Sequence, residues 1–467
     1  MKRGPPHRRP RLPPPATAAA FPCWCGRAVA RVPAPTAAPS TRSGTVLTDR
    51  AAGILDLELV APAGTRSSLD ISRIALPSRL RPAAQLGVLD ITEFFGDTTG
   101  GVRTYLLEKA RYVQRRDTLR QTIVVPGARD EILEASGVRC YRLRGPLVPT
   151  QKPYRFMLAT RSTSRIVAHE RPDLIEVGSA WFAPWLVHLA TRQFDVPAVW
   201  YYHSNFPRVI APRRPGIGRF RRGVSALAWS YVRRLGRLVR ATLAPSRTVV
   251  RELEEAGVEN VIRVPLGVDL DLFHPSRREA AAMTRRYYGL PEGPLALYVG
   301  RLAGEKEVDL LLRGWPEVER RTGAKLVLVG DGPARASLRR TPGGERAIWL
   351  PFEHDRDRLA DLHAAASCCI APGSLETFGL SAIEAFASGT PVLSADEGGV
   401  AENVSLSGGG RLFASRSAGS LAEEAIGLLG SDLAAIGAKG RRYAEENHGW
   451  ERVLDGLFGI YRGVLGP

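Results

Sequence analysis

Short apolar runs alternate with longer stretches of helical spacing along most of the chain. LGVLDITEF, beginning at Leu86, reads as a buried strand, and QTIVVPG (121–127), GVRCYRL (137–143), DLIEVGS (173–179), VPAVWYYHS (196–204) and ATLAPS (241–246) read likewise. Between the first two, Val102, Leu106, Leu107 and Ala110 recur at helical spacing after a Gly-containing turn. Further helices are predicted at about 180–193 and over TVVRELEEAG, with a strand and loop in NVIRVPLGVD (260–269). The alternation then restarts with PLALYVGRL (294–302), the helix VDLLLRGWPEVERR, AKLVLVGDGP (324–333), ERAIWLPF, LADLHAAA, SCCIAPG, a helix through 378–387 and TPVLSAD (390–396). Strand–helix alternation of this kind predicts parallel sheets covered by helices on both faces. The expected class is α/β, with two doubly wound, Rossmann-like domains facing across a cleft. The expected bounds are 86–285 and 286–445, and an amphipathic helix within 446–467 is expected to cross back to the first domain. In open parallel sheets ligands sit beyond the carboxyl ends of the strands, so functional residues should follow strands.

Charge adds a boundary. The chain has 467 residues and a formal net charge of +18. Residues 1–85 hold 13 Lys/Arg against 4 Asp/Glu, and 10 prolines fall in the first 40 positions. That composition cannot bury a core, so 1–85 is expected to be a disordered Arg/Pro-rich extension. It has no apolar segment of the secretory kind. An organelle transit peptide shares its Arg-rich, acid-poor character; a dispensable extension, of the kind an early start codon adds, is the simpler reading. No aromatic residues interleave with its first arginines, which argues against nucleic-acid binding. The five cysteines form neither a CxxC pair nor a Cys/His cluster, so no disulfide framework or zinc site is indicated and a reducing compartment fits. No apolar run is long enough to span a bilayer.

Several residues after strands carry chemistry. Gly300-Arg301-Leu302-Ala303-Gly304-Glu305-Lys306 places a planar fork and a point charge five residues apart, suited to a diphosphate. Two ordinary surface cations are the alternative. Gly100-Gly101 opens a helix whose first amides suit a phosphate or a sugar hydroxyl, or forms only a turn. Glu376 and Glu384 are eight residues apart, about 2.2 turns at ~3.6 residues per turn, so both carboxylates project to one side of a helix. Glu376 falls at the helix mouth beside the amides of Phe378, Gly379 and Leu380. A sugar, a diphosphate and a ribose would fit that order. One capping and one surface glutamate is the alternative. Neither a complete G-x-G-x-x-G nor a P-loop motif is present.

Taken in order, the GRL…EK loop at 300–306, Glu376-x7-Glu384, APSRTVV, VPLGVDLDLFHP (264–275), VGDGP (329–333) and GTPVLSADEGGVAE (389–402) resemble glycosyltransferase family 4 from about residue 86 onward. The resemblance implies the GT-B fold and a retaining transfer from a nucleotide-diphosphate sugar. It implies that Glu376 holds donor-sugar hydroxyls near the anomeric carbon, that Glu384 holds the ribose, and that Arg301 and Lys306 neutralise the departing diphosphate. Gly101 would let the first domain approach the phosphates. His203, followed by SNFPRVI, resembles the donor-sugar contact of the mannosyltransferase and glycolipid-forming branches. GDP-mannose is the favoured donor, with a UDP-hexose as the alternative; no metal and no further cofactor is implied. Glu307 stands where the family commonly has Gly, and Ser367-Cys368 where it commonly has Asp and an apolar residue.

The acceptor is expected to be a hydroxyl of a lipid or glycan held by the first domain. Residues 207–240 contain ten arginines, no lysine and no acid, interleaved with Phe220, Trp229, Tyr231 and Leu235. Such a surface suits an anionic membrane or an acidic polysaccharide, and a solvated helical hairpin is the alternative. The expected location is cytoplasmic, peripheral on the inner face of a membrane, with no nucleic-acid partner. A catalytically silent sugar-nucleotide-binding subunit, or another Rossmann-type sugar-nucleotide enzyme such as an epimerase, are the rival readings.

Overall fold

The computed structural model describes residues 58–59, 70–96, 100–149, 153–210 and 218–466. Most of the arginine- and proline-rich head, 1–57 and 60–69, lies outside the described residues.

Residues 58–263 build one sheet and residues 295–413 a second. Among the described residues the first has nine strands, with Leu86–Ile91 at its centre between Leu119–Gly127 and Leu174–Val177. Ala198–Tyr201, Ala241–Ala244 and Val261–Arg263 continue it in parallel on one side. The second has six strands, all parallel, with Leu295–Val299 between Lys325–Val329 and Cys368–Ala371. All six residues of Leu86–Ile91 are buried, as strands covered on both faces require. One hydrophobic core spans both sheets: Val88 and Leu243 of the first, Leu297 and Phe386 of the second domain, and Leu457 and Tyr461 of the final helix belong to it. Separate cores lie on the outer face of each sheet.

Three expectations need correction. Disorder through residue 85 overreaches, because the backbone of 70–85 is bound to the first domain. Arg165 donates to the carbonyls of Ile71 and Ile74, Arg139 to that of Ser78, and Arg81 caps the carbonyls of Val113, Arg116 and Leu119. Glu58–Leu59 also pairs with Glu131–Ala135, an antiparallel strand that the sequence reading passed over. In the Arg-rich stretch, the described aromatics, Trp229 and Tyr231, do not face outward as a docking surface needs. Leu235 is buried, Trp229 packs against the core, and the Tyr231 hydroxyl donates to Ala180 O at 2.9 Å. Phe220 lies among the side chains outside the description. Among its described residues, the helix Gly218–Gly236 exposes Leu227, at 74%, with Arg222, Gly223, Ala226, Ser230 and Arg234. Among the described residues, no helix is long and apolar enough to cross a membrane.

The final helix, Trp450–Leu465, packs on Gly101–Gln114 of the first domain. Its Tyr461 enters a buried polar cluster. Lys109, fully buried, donates to Asp90 at 2.6 Å and to the Tyr461 hydroxyl at 2.6 Å, and lies 3.5 Å from Glu176. Tyr105 and Tyr461 both donate to Glu176, and Gln121 donates to the second oxygen of Asp90 at 2.6 Å. Every charged member therefore has a partner, which burial of charge demands.

Candidate active site

The cleft between the two sheets has a volume of about 1470 Å³. Gly101 and His203 of the first domain and Arg301, Lys306, Glu376, Phe378, Gly379, Leu380 and Glu384 of the second all line it, so the site residues proposed from the sequence share one cavity. They come from different strand ends, as the parallel topology dictates.

Lys306 and Glu376 meet directly. The 304–306 turn follows the strand Leu295–Val299, and the Lys306 ammonium donates to the Glu376 carboxylate. Burial works against the ammonium, but the Glu376 carboxylate and Glu305 more than offset it, holding Lys306 above the usual lysine value. Arg301 lies nearby, with its guanidinium 5.1 Å from the Tyr154 ring centre and 3.8 Å from Glu305. Two cations and a carboxylate thus share one patch of the wall.

Glu376 sits in the loop before the helix Leu380–Ala387 rather than in its first turn. Gly379, at φ +83°, turns the chain into that helix, and a Cβ there would come within 2.2 Å of Val400. Three further bonds hold the segment 376–378 of this loop. Gly399 N–H donates to Glu376 O at 2.7 Å, Asn403 to Phe378 O at 3.2 Å, and Thr377 Oγ1 to the His203 carbonyl at 2.9 Å. The last ties the second domain's loop to the first domain. Gly101 faces the same helix; a Cβ there would lie 3.4 Å from Leu380.

Glu384 differs from the projecting carboxylate expected of a simple helix face. It is only 8% exposed, and burial raises its pKa to about 7 although Arg356 opposes this. Arg356 lies 3.8 Å from one carboxylate oxygen and His363 3.8 Å from the other. His363 is held neutral, its pKa lowered to about 3 by burial and by Arg356. Arg356 is therefore the cation that favours the ionised form of Glu384. The sequence reading missed it, although it follows the strand Ile348–Leu350 and lines the cleft, the same strand-end signal used elsewhere. Tyr154 also lines the cleft, from a loop with no period to betray it.

His203 lies two residues beyond the strand Ala198–Tyr201 and stacks on Tyr201, with ring centres 4.1 Å apart and planes 1° apart. Burial, aided by Lys109, lowers its pKa to about 3, so the ring is neutral. Its Nε2 is buried without a partner in the cleft wall. A buried polar atom of this kind is satisfied by a ligand hydroxyl or by water.

Two family models match the chain: one described as "Glycosyltransferase Family 4" over residues 99–272, and one described as "Glycosyl transferases group 1" over residues 293–431. A GDP-mannose-dependent alpha-(1-6)-phosphatidylinositol dimannoside mannosyltransferase of Mycobacterium tuberculosis is 30% identical over 330 residues, 68% of this chain and 84% of that protein. A GDP-mannose-dependent alpha-mannosyltransferase of the same species is 29% identical, covering 80% of this chain and 96% of its own. Among solved structures, sucrose-phosphate synthase from Thermosynechococcus elongatus superposes with a TM-score of 0.66 at 21% identity, over 81% of this chain and 99% of that one. The last similarity establishes the fold, two α/β domains of the GT-B kind.

Proposed function

The chain belongs to glycosyltransferase family 4 and is a glycosyltransferase, and from that premise we propose that it moves mannose, with retention, from GDP-mannose to a hydroxyl of a lipid or glycan acceptor. One observation carries the reading: Lys306, Arg301, Glu376, Glu384 and the unpartnered Nε2 of His203 line a single cleft. The roles follow from the chemistry of each group. Arg301 and Lys306 neutralise the diphosphate as it leaves, where electrostatic stabilisation contributes most to rate. Glu376 accepts from donor-sugar hydroxyls near the anomeric carbon, and His203 Nε2 contacts the same sugar. Glu384, ionised beside Arg356, accepts from the ribose hydroxyls. Gly101 lets the first domain approach the phosphates, and the amides of Phe378, Gly379 and Leu380 lie at the mouth of their helix. The choice of mannose rests on the names of the relatives and on His203-Ser204-Asn205-Phe206-Pro207.

The test is a thermal-shift and transfer screen of the full chain against GDP-mannose, UDP-glucose, UDP-galactose, UDP-N-acetylglucosamine and NAD. Donor at about 100-fold its Kd adds ~2.7 kcal/mol, which a melt resolves. Stabilisation by GDP-mannose and an α-linked product, read by the anomeric coupling of the new bond, support the reading. A shift with a UDP-sugar alone, or with NAD alone, overturns the donor assignment. The raised pKa of Glu384 adds a pH signature. Its carboxylate is lost as pH falls through about 7, so the donor Kd is expected to rise on the acid side. Arg356→Gln removes the opposing cation and moves that midpoint upward. A Kd flat from pH 6 to 8 in both proteins would refute the role given to Glu384.

The acceptor side supports peripheral membrane binding on the inner face through the exposed arginines of 222–240, each worth about 1 kcal/mol near an anionic surface. Arg234, Arg237 and Arg240 are exposed, whereas Arg233 donates to Ala256 O. Replacing Arg234, Arg237 and Arg240 with Gln is expected to cut sedimentation with phosphatidylserine vesicles about tenfold or more. Equal sedimentation of wild type and variant would remove the membrane from the scheme.

A further inference from the structure

Glu307 follows Lys306 and is one of the positions that depart from the family pattern, since Gly is common there. Its backbone explains the glycine. Glu307 has φ +51° and ψ 32°, the left-handed region, where a side chain is strained. A residue held there needs a compensating contact, and the side chain supplies one. The carboxylate Oε2 accepts from the backbone N–H of Ser374 at 2.8 Å. Ser374 opens the loop that carries Glu376, and Lys306 opens onto the same point. The two segments already touch, because a Cβ on Gly373 would lie 3.3 Å from Glu305 O and 3.3 Å from Lys306 Cα.

We propose that Glu307 is a positioning residue: its carboxylate ties the cation-bearing turn at 304–306 to the 373–379 loop, and so sets the Lys306–Glu376 geometry that receives the donor. This rests on the donor reading given above. Glycine at this position removes the strain and also removes the tie, so stability and donor binding should move apart. A purely local role would move them together or leave binding alone.

The experiment compares full-length wild type with Glu307→Gly, Glu307→Asn and Glu307→Gln. Gln keeps an acceptor oxygen at the same reach. Asn tolerates the left-handed backbone but is too short to reach Ser374, and it stands in should the glycine variant fold poorly. The expected result is a Tm at or above wild type for Glu307→Gly, a donor KM raised about fivefold or more in both Gly and Asn variants, and near wild-type KM in Gln. Hydrogen exchange at the Ser374 amide should quicken in Gly and Asn but not in Gln, a readout independent of any substrate. A slow Ser374 amide in the glycine variant, or an unchanged KM, overturns the proposal. A wild type that binds no sugar nucleotide instead overturns the donor reading, while the exchange result still decides the tie.

Discussion

Lys306→Met is expected to lower kcat/KM by about 10²–10³-fold, the scale of removing one preorganised charge from a leaving group, ~2.7–4 kcal/mol. The loss should fall mainly on kcat. Charge builds on the diphosphate as the glycosidic bond breaks, so the ammonium contributes more in the transition state than in the bound donor. Lys306→Arg should also be impaired, because a planar fork cannot take the place of a compact point charge packed against Glu376. Lys306 and Glu376 touch, so their effects should not add: the double variant Lys306→Met, Glu376→Gln should be much less than the product of the singles. Initial rates across a donor titration check all three. An unchanged kcat in Lys306→Met, with only KM raised, would show that the ammonium serves binding and not departure.

That pairing shows how the sequence revealed the site. Lys306 and Glu376 are 70 positions apart, yet each follows a strand of one parallel sheet, and the topology alone brings strand ends together. Spacing placed Glu384 near Glu376 but misjudged its surroundings. A helix period says which way a side chain points, not what covers it, and here Arg356 and His363 enclose the carboxylate. The Arg-rich helix failed similarly: composition suggested an aromatic docking face, but Trp229 and Tyr231 turn inward onto the domain core. The strand Glu131–Ala135 was missed because EILEA has few β-branched residues and gains its pairing from the hairpin partner. The ordered segment 70–85 was missed for a related reason. Its backbone carbonyls are held by arginines far along the chain, Arg139 and Arg165, which composition cannot foresee.

The buried cluster around Lys109 is where the largest effect on stability is expected, and nothing in the sequence pattern marks it. Lys109→Met removes the cation that faces Asp90 and Glu176, leaving two buried carboxylates without it, and breaking such a pair costs about 3–5 kcal/mol. Tyr461 loses the donor that approaches its hydroxyl, so the final helix should loosen from the first domain. The pH dependence gives the cause away. Burial raises the pKa of Glu176, with Lys109 opposing, so the folded protein binds that proton more tightly than the unfolded chain does. Stability from this group therefore falls as pH rises above the ordinary carboxylate range. Without Lys109 the pKa of Glu176 rises further, and the variant should lose more stability at pH 8 than at pH 5.5. Tyr461→Phe keeps the charges but removes a hydroxyl that donates to Glu176 and lowers its pKa, so a smaller loss with the same but weaker pH trend is expected. Urea melts at the two pH values separate these outcomes. An equal loss for Lys109→Met at both would mean that packing of the lysine stem, and not its charge, holds the helix in place.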